Sequence, residues 1–140
     1  MSSKLNLACP SVGGSAANLK GLVSLKGQMS SITDDYLREA IKEMKQYTLV
    51  VFRRGPRAGE PDVDGKIWEH GKRNLELRKN GIANLIIVLR DEWEIEGLDV
   101  FNASVDETRR IMEEDPAIMA GALTYETHPV VSFPGDSLSA

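Results

Sequence analysis

Two side chains of this sequence, His70 and Asp115, could carry proton-transfer chemistry. An imidazole with a reference pKa of about 6.5 exchanges protons near neutral pH, and a carboxylate beside it fixes the tautomer and stabilises the charged form. The spacing around the two is matched, because His70 opens a helical stretch that stops at Gly81 and Asp115-Pro116 leads to Gly121. One group therefore sits near an element end on each of two helices, and a compact α+β domain could bring them together. A plainer reading competes: His70 is a partly exposed helix residue and Asp115 caps the turn at Pro116. The residues alone leave both readings open.

Other candidates are weaker. Arg53 and Arg54 end a β-branched and aromatic run, where a cleft would open, and Arg53 could hold a carboxylate through two hydrogen bonds. Two solvated strand-end charges are the alternative. His128 could reach the same cleft, but Pro129 marks the end of its strand and an edge or interface position is expected. Trp68 reads as core at helical spacing, and Trp93, in a turn, as a dimer contact. No H-x-x-x-H or H-x-H pair fixes two metal ligands on one element. Gly55, Gly59 and Gly65 lack the Gly-Lys-Ser/Thr of a phosphate loop, so neither metal nor cofactor is expected.

The elements that must position these groups follow from periodicity. Thr33 before Asp34 and Asp35 is an N-cap, and Leu37, Ala40, Ile41 and Met44 recur at helical spacing, which predicts an amphipathic helix over 33–46. Tyr47 to Phe52 suits a strand, and a Gly, Pro and Asp-rich loop follows from Gly55 to Gly65. Ile67 to Asn80 has helical patterning, with Trp68, Gly71 and Leu75 on one face, His70 in the first turns and Gly81 as the left-handed stop. Ile82 to Leu89 and Ile95 to Ala103 read as an antiparallel hairpin. Ser104 and Glu107 form a capping box for a helix to Glu114, Pro116 starts a new short turn, and Leu123 to Val131 is a last strand.

After the first helix the order is β-α-β-β-α-β, which fits the split βαβ, ferredoxin-like architecture. Strand alternation sets Leu49 and Val51 against Val50 and Phe52, so the face of the sheet away from the helices is apolar too. A symmetric homodimer, sheet against sheet, would cover it.

Composition bounds the rest. With 140 residues the chain suits one domain: residues 32–134 including the leading helix, after a flexible Gly- and Ser-bearing extension over 1–31 and before a tail at 135–140. A net charge of −4 with interspersed signs argues against nucleic acid. Cys9 is the sole cysteine, so no intrachain disulfide forms and a cytoplasmic location is expected. The longest apolar stretch, Leu85 to Leu89, is only strand-length, and no membrane span is expected. Leu5 to Pro10 is too short for a secretory core, and Met29 offers a second start.

Several of these segments together resemble the YciI-like (YCII-related) family: His70-Gly-Lys-Arg-Asn-Leu-Glu-Leu-Arg-Lys-Asn-Gly81, Glu96-Gly-Leu-Asp-Val-Phe101, Ser104-Val-Asp-Glu107 and Asp115-Pro-Ala-Ile-Met-Ala-Gly121. The likeness spans about Tyr47 to Val131. It implies a dimeric α+β barrel of ferredoxin-like subunits, related to muconolactone isomerases and to a dehydrochlorinase of aromatic breakdown. It also implies a histidine and aspartate active site, which by motif falls on His70 and Asp115. Family members often carry a Gly-Pro pair after the second strand, where this chain has Leu89-Arg90, so no substrate carries across. Two functions stand side by side: a cofactor-free lyase or isomerase acting on a small polar acid, and a non-catalytic dimeric module binding a metabolite or a partner protein.

Overall fold

The computed structural model describes residues 31–140, so the extension expected over 1–31, with Cys9 and Met29, lies outside the described residues except for Ser31. The described residues fall into two compact units that divide at residue 45. In the first, helix α1 (Asp34–Lys42) begins where the Thr33 hydroxyl accepts the Tyr36 N–H at 3.1 Å. Two acidic residues in its first turn and Lys42 in its last complement the helix dipole. The helix stops short of residue 46, because Glu43 caps it and Lys45 already belongs to a strand.

The second unit, Lys45–Ala140, is an α+β arrangement around one four-stranded antiparallel sheet, consistent with a ferredoxin-like α+β fold. Its elements are β1 (Lys45–Arg54), α2 (Pro61–Lys79), β2 (Ala83–Val88), β3 (Ile95–Phe101), α3 (Val105–Glu113), α4 (Pro116–Met119) and β4 (Leu123–Ser132). The strand order is β2-β3-β1-β4. The β-branched and aromatic run of β1 thus lies inside the sheet, between β3 and β4. Val50 and Phe52 of β1 pack with Ala83, Phe101 and Leu123 against Val63 of α2, Met112 of α3 and Ala117 of α4. Each large apolar side chain buried in this way contributes roughly 1.5–3 kcal/mol.

Three local expectations change. Helix α2 begins at Pro61, not Ile67, because Glu60 is an extended N-cap, Pro61 takes the first helical position and Asp62 and Asp64 sit in the first turn. His70 is consequently in the middle of α2, not in its first turns. The inward stripe of α2 is Val63, Ile67, Asn74 and Leu77, with His70 among them, whereas Trp68 is 60 % exposed and is not core. Two polar residues on that stripe break its hydrophobic signal, so periodicity selected the wrong face. Lastly, Pro129 does not end its strand, because β4 continues to Ser132, one residue past the expected Val131. An edge strand can seat a proline, because its outward N–H position has no ladder partner to lose.

The ends of β1 and β4 approach through glycine. Gly55 donates to the Ala122 carbonyl at 2.8 Å, and a Cβ at Gly55 would lie 2.1 Å from the Gly121 carbonyl oxygen. Gly121 itself has φ +77°, which a side chain would strain.

Candidate functional site

Asp115 is placed by its proline. Pro116 disfavours helical geometry at the residue before it, so α3 ends and Asp115 turns extended, at φ −74° and ψ 127°, as the N-cap of α4. Its Oδ1 accepts the Ala117 and Ile118 N–H groups at 2.9 and 3.3 Å. Its Oδ2 faces the other way and accepts from His70 Nδ1 at 2.8 Å. The carboxylate is 0 % exposed and the imidazole side chain 13 %. Across the ring, Phe52 of β1 packs edge-on at 5.0 Å between centroids, tying α2 to the sheet at this point.

Burial by itself would raise the pKa of Asp115. The His70 hydrogen bond and charge and the two capping amides outweigh that, and hold the carboxyl below its ordinary value. An ionised carboxylate only accepts, so Nδ1 carries the proton and the neutral ring keeps its lone pair on Nε2. Arg73, one turn along α2, adds positive charge, with Nη1 3.6 Å from Asp115 Oδ2 and Nη2 3.8 Å from Glu114.

The other ring nitrogen is also engaged. Asn74, one turn after His70 on α2, sets its Nδ2 3.2 Å from His70 Nε2 and 2.8 Å from Asp99 Oδ2 on β3. The result is a continuous chain, Asp115–His70–Asn74–Asp99, spanning two helices and the sheet. Asp99 is 1 % exposed, and burial pushes its carboxyl up to about 7, against the lowering effects of the His70 charge and the Asn74 hydrogen bond. Sequence reasoning missed both Asn74 and Asp99. A signal existed: Asp99 shares strand parity with Phe101, whose neighbours are core, and a charge on that side needs a buried partner.

The remaining candidates lie elsewhere. Phe52 faces His70, so Arg53, the next residue on β1, points to the opposite side of the sheet and forms an ion pair with Glu126. Arg54 is exposed at the strand end. His128, paired in register with Leu49, is exposed and contacts Glu126 at 3.2 Å. Neither Arg53 nor His128 joins the His70 cluster. A depression is lined by Lys66, one turn before His70 on α2, and by Pro116, Met119 and Ala120 after Asp115, with neither His70 nor Asp115 in its wall.

Fold and site together define an α+β protein with a buried carboxylate–imidazole pair in a polar chain beneath an antiparallel sheet. Neither protein-family models nor curated proteins yield a match to this chain. Among the described residues no helix is long and apolar enough to cross a membrane. No group of three or more His, Cys, Asp or Glu among them is arranged to hold a metal ion.

Proposed function

We propose that this chain is a cofactor-free enzyme of lyase or isomerase type that moves a proton on a small polar acid. His70 is the general acid/base and Asp115 its orienting partner. The observation that carries the reading is the 2.8 Å bond from His70 Nδ1 to a fully buried, ionised Asp115. Such a partner leaves Nε2 as the basic nitrogen and balances the imidazolium once a proton arrives. A substrate proton reaches Nε2 when the Asn74 contact opens, and at 3.2 Å that contact is at the long end for a hydrogen bond. The depression between Lys66 of α2 and the residues of α4 offers a place for a small molecule, where Lys66, now paired with Glu69, could turn to an anionic group. Arg53 remains the candidate for an anion on the other side of the sheet. The YciI-like resemblance supports the same assignment of His70 and Asp115.

The subunit is proposed to be a ferredoxin-like βαββαβ unit that forms a homodimeric α+β barrel. Support comes from the strand order and from the sheet face opposite the helices, where Leu49 pairs with Val100 and Val100 with Leu85, while Val51 pairs with Leu98 and Leu98 with Ile87. Directly paired residues share a face, so these six make an apolar patch.

One observation favours a second reading, a non-catalytic dimeric module for a metabolite or a partner protein. Both ring nitrogens of His70 already have protein partners. His70→Ala separates the two: the enzyme loses turnover of an identified acid substrate by at least about a hundredfold, the range of a lost general acid/base. Undiminished turnover removes the catalytic reading.

A further inference from the structure

Helix α2 turns a second face away from the sheet, and no part of the proton-transfer chemistry uses it. At about 3.6 residues per turn, Asp64, Trp68, Gly71, Lys72, Leu75 and Lys79 fall within an arc of roughly 100°, turned away from the inward stripe. Trp68 and Leu75 are each 60 % exposed. Lys72 and Lys79 are exposed as well, with no ion-pair partner among the described residues. We propose that a second copy of the chain docks on this face, α2 against α2 in antiparallel sense, about a twofold axis between Gly71 and Lys72. This contact is separate from the sheet-to-sheet pairing, because α2 packs on the opposite face of the sheet.

Gly71 costs the helix backbone entropy that its own subunit does not recover. Its φ is not positive, and a Cβ built on it meets nothing within 4 Å, so neither conformation nor packing inside the subunit requires a glycine there. A backbone approaching from outside does require one. Trp68 and Leu75 stand one on each side of the gap that Gly71 leaves, seven residues apart and so on one face. Tryptophan is among the residue types that most often anchor a protein interface, and here it projects from a rigid helix.

The order of residues along the face selects a second copy as the occupant. An antiparallel pair centred between Gly71 and Lys72 sets Trp68 level with Leu75 of the second copy and Asp64 level with Lys79 of the second copy, and the twofold makes each contact twice. Asp64 accepts the Gly59 N–H at 3.2 Å and has no cation beside it among the described residues, so Lys79 meets a carboxylate still to be neutralised. The two Lys72 side chains flank the axis. Glu69 of the facing helix lies on the same side within a turn and offsets their repulsion.

Other occupants fit the face less well. A parallel pair would set Lys79 against Lys79 and Asp64 against Asp64, like charge on like. An anionic surface, which two lysines would otherwise suit, meets Asp64 on the same arc and a chain of net charge −4 behind it.

The test is cross-linking of the full chain at chosen positions in a Cys9→Ser background. With Gly71→Cys the two thiols lie side by side across the axis, whereas with Lys79→Cys they stand about 22 Å apart along the pair at roughly 1.5 Å per residue. Mild oxidation should give a covalent dimer from Gly71→Cys and none above background from Lys79→Cys, and adding Trp68→Glu should remove it. Sedimentation of the unaltered chain well above micromolar concentration should show an association step that Trp68→Glu abolishes and that Leu98→Asp, acting on the sheet face, leaves in place. Cross-linking that is absent at residue 71, or equal at residues 71 and 79, overturns the proposal. So does an association that Trp68→Glu leaves unchanged, and the face then belongs to a different protein. Failure of the sheet-face pairing shows instead as indifference to Leu98→Asp, so the two outcomes are told apart.

Discussion

Asp99 and Asp115 belong to one hydrogen-bonded chain, yet their environments drive their protonation in opposite directions, and stability inherits both signs. Asp99 binds its proton up to about pH 7 in the folded state, whereas an unfolded aspartate releases it near pH 3.9. Between those values the native state holds a proton the unfolded chain lacks, so stability falls as pH rises through the window and the deficit is complete above it. Asp115, lowered in the native state, works the other way: its contribution is present above the unfolded pKa and is lost on acidification below about pH 4. Asp99→Asn keeps size and removes the ionisation. Its stabilising effect should grow between about pH 5 and pH 8, to at most roughly 4 kcal/mol, because the avoided cost is the burial of the charge. Urea denaturation at the two pH values measures this, and an Asp99→Asn effect equal at both would show that the carboxyl is not shifted.

At the scale of elements, the site depends on where α2 and α4 begin. The proline at the first position of each ends what precedes it and starts a new helix, and the second of these turns Asp115 towards α2. The same corner of the sheet is closed by the Gly55–Gly121 contact between the ends of β1 and β4. Gly55→Ala puts a methyl group against the Gly121 backbone, which cannot yield as a side-chain end can. A loss of about 1–3 kcal/mol is expected, the range for forcing a methyl into a filled space. Thermal unfolding checks it, and an unchanged midpoint would mean that the two strand ends are not in contact. Helix starts were legible where a cap was explicit, as at Ser104, where the capping box forms as its residues suggest. The start of α2 was not, because its cap, Glu60, makes no side-chain hydrogen bond and the Gly and Asp residues inside the helix imitate a loop.

For the whole molecule, the decisive surface is the sheet face that carries Leu49, Val51, Leu85, Ile87, Leu98 and Val100. If two copies associate through it, light scattering at micromolar concentration reads twice the 15.4 kDa chain mass. Leu98→Asp, in the middle of that patch, should then shift the population to monomer by burying an unpaired charge at the interface. A monomer from the unaltered chain would remove the barrel assembly and leave the single-subunit site as it stands.

The strands of this chain could be read from its residues, since β-branched and aromatic runs, turn residues and caps act over a few neighbours and need no distant partner. The capping box at Ser104 and the antiparallel pairing of β2 with β3 are cases of this kind. His70 and Asp115 stood out for their chemistry, but their meeting at 2.8 Å depends on how α2 crosses the sheet and how Pro116 turns the chain. The inward face of α2 was hidden for the same reason. Its polar members, His70 and Asn74, satisfy one another and Asp99 only after β3 comes to lie beneath the helix. Long-range hydrogen bonds between buried polar groups leave no periodic mark along a sequence, so only the folded chain reveals Asp99 at the far end of the imidazole.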